Sequence, residues 1–397
     1  MNIFFLINSL SVGGAERVAL NLAKILPVQK LFLLEKDVKY SSENLNLQFL
    51  SNHTKETSSI LKTFYIPFYA KCLSKHLKKN DIVISFLERA NYVNALASFW
   101  KGHKTIISVH MSQISGRRKF HPYHFLSRLF YPRSHLIVSV SEGIKKELIE
   151  YYRVNGEKIR VIYNPVEYEE ILDKSKESIE PFLQPFIITM GRLTKQKGQW
   201  YLLRIFREIK KGFPKLKLLI LGEGELKDYL IALSQDLGLK TYVWAGYKLK
   251  DSFDVYFLGF QKNPFKFISK AEIFVLPSLW EGFSNALVEA LTCGIPIISS
   301  DCRTGSREIL APTTDFQYQT SKPEFAEYGV LMPPFEPKFK RATDPLTEKE
   351  KIWVKTLKKL LENDSLRKGY SEKAKERARD FSIEKIIPQW KKILEEV

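Results

Sequence analysis

The chain has 397 residues, 44% of them hydrophobic, with 62 Lys and Arg against 44 Asp and Glu, a formal net charge of +18. This length predicts two or three domains, and the apolar content excludes a disordered or fibrous chain. Three unevenly spaced cysteines, Cys72, Cys293 and Cys302, exclude a disulfide framework and a zinc signature and suit a reducing, cytoplasmic compartment.

No run approaches the ~20 apolar residues of a membrane span. The opening "MNIFFLINSLSVGGAE" lacks a basic leader and reads as a first buried strand rather than a signal peptide. Strand-length apolar runs then alternate with helical patterns. The first series is "NIFFLIN", "KLFLLE", "DIVISF", "KTIISV", "HLIVSV" and "IRVIYN". Its first helix, "GAERVALNLAKIL", places Val18, Leu22 and Ile25 at helical spacing. A second series runs "PFIITMG", "LKLLILG", "VYFLG", "EIFVLP" and "IPIISS". Continuous apolar strands between helices predict parallel sheets covered on both faces.

The α/β series starts twice, at "LINSLSVGGAERV" and at "IITMGRLTKQKGQW". We therefore expect two Rossmann-like, doubly wound parallel-sheet domains facing a cleft. Residues 1–165 form the first, residues 183–381 the second, and the polar, proline-containing residues 166–182 connect them. The tail is helical, with Ser382 as a cap, Pro388 as a kink and residues 382–397 crossing back to the first domain. The proline-rich stretch 312–345 has no role legible in its residues.

Two basic and aromatic stretches carry part of the excess charge, Thr63–Lys79 and Ser115–Arg133. Cations beside rings suit an anionic membrane interface, where the alternative is a solvated helix face over buried aromatics. No recognised nucleic-acid motif occurs.

The stretch "SLWEGFSNALVEALTCGIPIISS" carries the sharpest chemistry. Pro277 ends a strand, which puts Glu281 in the loop past its carboxyl end. Ser284 or Asn285 caps the next helix, and Glu289 falls about one turn in. Helix-start amides from Gly282 and Phe283 onward bind phosphate, and the two carboxylates accept from sugar or ribose hydroxyls. In "GRLTKQKG", Arg192 and Lys197 follow another strand end between glycines and suit a diphosphate. Taken alone they read as a solvated charge pair; beside Glu281 and Glu289 they read as a site. No Asp-x-Asp pair exists to hold a divalent ion, so no metal or cofactor is expected. Gly13-Gly14 lacks the full dinucleotide fingerprint but allows close approach to a ligand, with Glu35 as the sole acidic candidate after the second strand. His110 ends "TIISV", and Glu88, Arg89 and Asn91 follow "VISF".

On the motifs "GGAERV", "SFLERANYVN", "SVH", "NPV", "GRLTKQKG", "LGEGEL", "FLGF", "EGFSNALVEALTCGIPII" and "DCRTGSREIL", the chain resembles the family-four retaining glycosyltransferases of GT-B fold over nearly its full length. It is similar to bacterial enzymes that assemble O-antigen, capsule or lipid-linked glycans. The resemblance implies that Arg192 and Lys197 hold the donor diphosphate and that Glu289 holds the ribose. Glu281, with the backbone of Gly282, Phe283, Ser284 and Asn285, would hold the transferred sugar and β-phosphate. Gly14 would approach the diphosphate, Gly259 and Phe260 would line the base, and His110 would meet donor or acceptor. Glu88, Arg89, Asn91, Arg117 and Arg118 would serve the acceptor. It further implies a UDP-sugar donor, a polyprenyl-diphosphate-linked acceptor and a peripheral position on the inner face of the cell membrane. The "DCRTGSRE" segment departs from the family in lacking a double glycine. The competing readings are a membrane- or nucleic-acid-surface binding protein without transferase activity, and a phosphorylase or epimerase of similar architecture.

Overall fold

Five consecutive apolar residues, Ile3–Ile7, form a fully buried strand with a parallel partner on each edge, as a sheet covered by helices on both faces requires. The structure is a computed structural model that describes every residue except 12, 41–44, 113–121, 181–184, 245, 247 and 248. It divides into two units, Met1–Pro165 with Ile383–Val397, and Val166–Ser382.

The first unit contains β1 (Ile3–Ile7), β2 (Val28–Leu33), β3 (Leu47–Phe49), β4 (Ile82–Phe86), β5 (Lys104–Val109), β6 (Leu136–Ser139) and β7 (Ile159–Val161). They form one parallel sheet in the order β3-β2-β1-β4-β5-β6-β7. The order reverses between β1 and β4, and at such a switch point ligands bind past the carboxyl ends of the strands. Its helices are α1 (Gly14–Ile25), α2 (Ser59–Phe64), α3 (Ile66–Ser74), α4 (Glu88–Lys101), α5 (Pro122–Phe130) and α6 (Glu142–Tyr152).

The second unit begins with α7 (Tyr168–Ser175). Residues 166–175, read from sequence as part of a connection, pack within this unit: Asn263 Nδ2 donates to Lys174 O at 2.9 Å and Ser269 Oγ to Ser175 O at 2.8 Å. Its strands are β8 (Phe186–Met190), β9 (Lys217–Leu221), β10 (Thr241–Val243), β11 (Val255–Gly259), β12 (Ile273–Leu276), β13 (Ile297–Ser300), β14 (Glu324–Phe325) and β15 (Val330–Met332). The order is β10-β11-β9-β8-β12-β13-β15-β14, with the switch between β8 and β12. Its helices are α8 (Gln199–Lys210), α9 (Lys227–Asp236), α10 (Phe265–Ile268), α11 (Asn285–Thr292), α12 (Ser306–Leu310), α13 (Glu348–Glu362) and α14 (Asp364–Arg379).

One strand departs from the all-parallel expectation. β14 pairs antiparallel with β15, because a tight turn closed by Ala326 N to Gly329 O reverses the chain. Residues 336–345 of the proline-rich stretch form a strap over α8. Trp200 Nε1 donates to Lys338 O at 3.0 Å, Tyr201 OH to Glu336 O at 2.8 Å, and Arg204 Nη2 to Pro345 O at 2.9 Å. The buried Arg204–Glu350 pair, at 2.6 Å, ties α8 to α13.

The terminal helix α15 (Ile383–Glu396) contains Pro388 and belongs to the first unit. Ile386, Trp390 and Ile393 join the apolar cluster of Val18, Leu22 and Ile84. Arg160 and Glu396 pair at 2.9 Å on its outer side.

Candidate functional site

Backbone contact density at the carboxyl edge of the second sheet explains its glycines. A Cβ on Gly222 would lie 2.0 Å from Gly191 O, and one on Gly224 2.3 Å from Leu193 O. Only glycine lets the "GEGEL" turn close on the "GRL" turn. Gly198 has φ +62°, and a Cβ there would lie 2.5 Å from Pro277 O. Leu279 N donates to Gln196 O at 2.8 Å. The 191–198 loop is thus clamped between the turn after β9 and the loop after β12.

That clamp brings two of the expected residues into direct contact. Lys197 Nζ lies 2.6 Å from Glu281 Oε1, both largely buried. Gln196 Nε2 donates to Trp280 O at 2.9 Å and to Glu281 Oε2 at 3.3 Å. Thr304 Oγ1 donates to the Glu281 carbonyl, and a Cβ on Gly305 would lie 2.9 Å from Gly282 O. Arg192, by contrast, is exposed and forms no ion pair among the described residues. The edge therefore presents Arg192 as an uncommitted cation beside a neutralised Lys–Glu pair.

Ser284 is the N-cap of α11 as its residue type suggests, but its hydroxyl makes no capping hydrogen bond and is buried without a partner. Asn285 is the first helical residue, and Glu289, buried, is the fifth. Phe283 packs edge-on against Phe381 at 5.4 Å. Glu308 Oε1 accepts from Gly305 N at 3.4 Å, so it supports the loop beneath Gly282. Arg307 bridges Asp301 and Glu324, each at 2.7 Å, which commits it to structure. Burial raises the Asp301 pKa against the pull of that guanidinium. Gly259 ends β11 with φ +64° and Phe260 beside it is exposed. A Cβ on Gly259 would meet Glu223 Oε1 at 2.6 Å.

The first sheet's edge is organised differently. Glu35, at the end of β2, is buried against Lys62 Nζ at 2.7 Å and Arg89 Nη1 at 2.5 Å. The sole acidic candidate of the sequence is thus paired within its own unit, and Arg89 is bound up with it. Asn91 is buried with its Nδ2 on Ser108 O at 3.2 Å, leaving Oδ1 without a partner. Glu88 opens α4 after Leu87, whose φ of 70° is strained for a leucine. His110 follows β5; its Nε2 meets Ser108 Oγ at 2.9 Å and its buried Nδ1 has no hydrogen-bond partner among the described residues. Burial pushes the imidazole pKa down to about 4, with Glu88 opposing, so the ring is neutral near pH 7. Gly14 is exposed at the first turn of α1. Arg117 and Arg118 lie outside the described residues.

The structure thus gathers Arg192, Lys197, Glu281, Gly282, Phe283, Ser284, Asn285 and Glu289 on two neighbouring loops and the start of α11 in one unit. Glu88, Arg89, Asn91 and His110 gather on the other sheet's edge. Sequence reading missed Gln196 and Thr304. Gln196 stood inside a quoted motif but has no spacing signal; Thr304 meets Glu281 only through the fold. Among the described residues, no three His, Cys, Asp or Glu side chains form a metal-sized cluster.

Comparison with known proteins covers both units. The family described as "Glycosyltransferase Family 4" matches residues 12–170, and "Glycosyl transferases group 1" matches residues 172–317. The chain is 32% identical over 392 residues to the Campylobacter jejuni N-acetylgalactosamine-N,N'-diacetylbacillosaminyl-diphospho-undecaprenol 4-alpha-N-acetylgalactosaminyltransferase, covering 96% of this chain and 95% of that one. It is 38% identical over 277 residues to an uncharacterized glycosyltransferase of Methanocaldococcus jannaschii, over 68% of this chain and 65% of that one. In fold it is similar to the crystal structure of Anabaena HepE in complex with UDP and glucose, at TM-score 0.76 and 18% identity over the whole of both chains.

Proposed function

We propose, for a chain that belongs to the family-four glycosyltransferases of GT-B fold, the transfer of a hexose or N-acetylhexosamine from a UDP-sugar to a hydroxyl of a lipid-diphosphate-linked sugar, with retention and without a metal. The observation that carries the reading is the clamped 191–198 loop. It sets Arg192 free beside the Lys197–Glu281 pair, at the carboxyl edge of the second sheet, next to the start of α11. The near full-length likeness to a transferase acting on an undecaprenyl-diphosphate glycan supports the acceptor class, and the likeness to a fold crystallised with UDP supports the base.

In this reading the α11 amides, Arg192 and Lys197 face the donor diphosphate. Glu289 accepts from the ribose and Glu281 from the transferred sugar. Lys197 is already held by Glu281, so a bound diphosphate shares the ammonium rather than recruiting a free one. The acceptor hydroxyl attacks C1 on the face from which the diphosphate departs. The C1–O bond to the β-phosphate breaks, the new glycosidic bond forms, and the hydroxyl proton passes to the departing β-phosphate oxygen. Preformed cations and amides stabilise the negative charge that grows on that oxygen, which is where electrostatic catalysis acts most. Neutral His110 can donate or accept one hydrogen bond through its unpartnered Nδ1 but carries no charge to the site. A lipid-linked acceptor puts the reaction at a membrane surface.

A screen of nucleotide sugars, reading nucleoside diphosphate release in the presence of a polyprenyl-diphosphate sugar, tests the reading. Release from a UDP-sugar that persists in EDTA, with an α-linked product from an α-linked donor, supports it. Release that stops in EDTA and returns with magnesium contradicts the metal-free part. Absence of release with every donor contradicts the transfer itself.

A further inference from the structure

Large apolar side chains are exposed together at one corner of the first unit. Phe64 is 78% exposed, Ile60 72% and Phe68 51%, with Leu61 and Pro67 exposed beside them. They lie on α2 and the start of α3, joined through Tyr65, where Pro67 keeps the two helices from merging. Ile60 and Phe64, spaced by four, share one face of α2, and Phe68 is exposed on the first turn of α3. The next exposed positions along the chain are Lys71 and Lys75. From residue 55 to 79 the chain carries six lysines and one acidic residue, Glu56. Of these lysines Lys62 is buried against Glu35, and the other five are exposed without an ion pair among the described residues.

The corner is fixed to the candidate acceptor edge. Ser59 Oγ accepts from Arg89 Nη2 at 3.4 Å, and Lys62 and Arg89 share Glu35. Thr63 Oγ1 meets the Tyr123 hydroxyl at 3.0 Å, and Phe125, two residues further on α5, is 71% exposed. An apolar tip of this size on a soluble chain marks an interaction surface. The exposed residues that follow it are lysines, not mixed charges, which selects an anionic partner with an apolar interior over a second protein surface.

We propose that α2 and the head of α3 insert into an anionic lipid leaflet, with Phe64, Ile60 and Phe68 at acyl-chain depth and Lys71 and Lys75 at the headgroups. Rings buried at the boundary supply the apolar term and the lysines the attraction to anionic lipid. Because Lys62 and Ser59 tie α2 to Arg89, insertion sets the carboxyl edge of the first sheet at the membrane. That consequence rests on the lipid-linked acceptor proposed above; the insertion itself does not.

Flotation of the full chain with phosphatidylcholine vesicles, with and without phosphatidylglycerol, tests it. The chain should float with the anionic vesicles at low salt and be released by high salt. Phe64→Ser with Ile60→Ser should lower the bound fraction about tenfold, and Lys71→Glu with Lys75→Glu should abolish the preference for phosphatidylglycerol. Circular dichroism checks that the variants fold. Turnover should survive in the Phe64→Ser variant with a short-chain, water-soluble acceptor and fall with a vesicle-embedded one. A wild-type chain that stays unbound on anionic vesicles overturns the proposal. So does a double variant that binds like wild type, or a dimer that Phe64→Ser splits without any vesicle binding. Vesicle binding with no turnover on either acceptor sinks the transferase reading and leaves the docking surface standing.

Discussion

The carboxyl edges of the two sheets have the same topology and use their charges in opposite ways. In the second unit, glycines at Gly191, Gly198, Gly222 and Gly224 let three turns close on one another, and the Arg192 guanidinium stands exposed on the outside of that clamp. Arg192 is uncommitted and Lys197 is held in reach by Glu281. In the first unit the charges turn inward: Lys62 and Arg89 share the one carboxylate of Glu35 below the surface, and His110 is neutral by burial. A parallel sheet supplies the same place twice, and residue chemistry leaves one edge with an exposed cation and the other with its charges paired.

Four perturbations separate the two edges. Lys197→Ala should lower kcat by about 10³ and the donor KM far less, because a donor to growing charge is typically worth 10²–10³. Steady-state kinetics over donor concentration reads the split, and a rise in KM alone would make Lys197 a binding residue only. Glu35→Gln in the first edge should act through stability instead. It leaves two cations buried, at a cost of about 3 kcal/mol, visible as a lower denaturant midpoint. UDP affinity should stay unchanged, and a lost affinity would mean the edges are not separate in function.

Acidification probes the same edge. The folded His110 pKa of about 4 lies below the ordinary 6.5, so below pH 6.5 the unfolded chain binds a proton the native one refuses. Stability from this group is full above pH 6.5 and is lost as pH falls toward 4, by at most about 3 kcal/mol. His103, also depressed to about 4 by burial, adds to the same window. Thermal melts from pH 7.5 to 4.5 should show the decline, and His110→Gln should flatten part of it. Smallest is Thr304→Val, which removes one hydrogen bond from the Glu281 carbonyl. About 1 kcal/mol of loop positioning should be lost, a several-fold drop in kcat with the melt almost unchanged.

The alternation of apolar strands and helices made the longer strands of both sheets legible from sequence, because a doubly covered strand must be apolar throughout, whereas the two- and three-residue strands β3, β10, β14 and β15 carry too short a pattern and were missed. Val255–Gly259 reads this way residue for residue, and Ile273–Leu276 lies inside the expected "EIFVLP". The places of Glu281, Arg192 and Lys197 past the ends of such strands, and of Glu289 one turn into the helix that follows, were legible from the same alternation. What stayed hidden depends on partners far along the chain. Nothing local says that Glu35 meets Lys62 and Arg89, 27 and 54 residues away, or that Thr304 reaches back to Glu281. The strap over α8 was hidden for a similar reason. Its bonds to Trp200, Tyr201 and Arg204 come from backbone carbonyls of Glu336, Lys338 and Pro345, which leave no side-chain pattern.

The claim that bears the most weight is that Arg192 and Lys197 hold the donor's diphosphate without help from a divalent ion. Calorimetric titration of UDP in EDTA, on the wild-type chain and on Arg192→Ala, tests it in one experiment. We expect saturable binding by the wild type that magnesium does not strengthen, and affinity at least about tenfold weaker in the variant. Binding that appears only with magnesium, or equal affinity in both proteins, would contradict it.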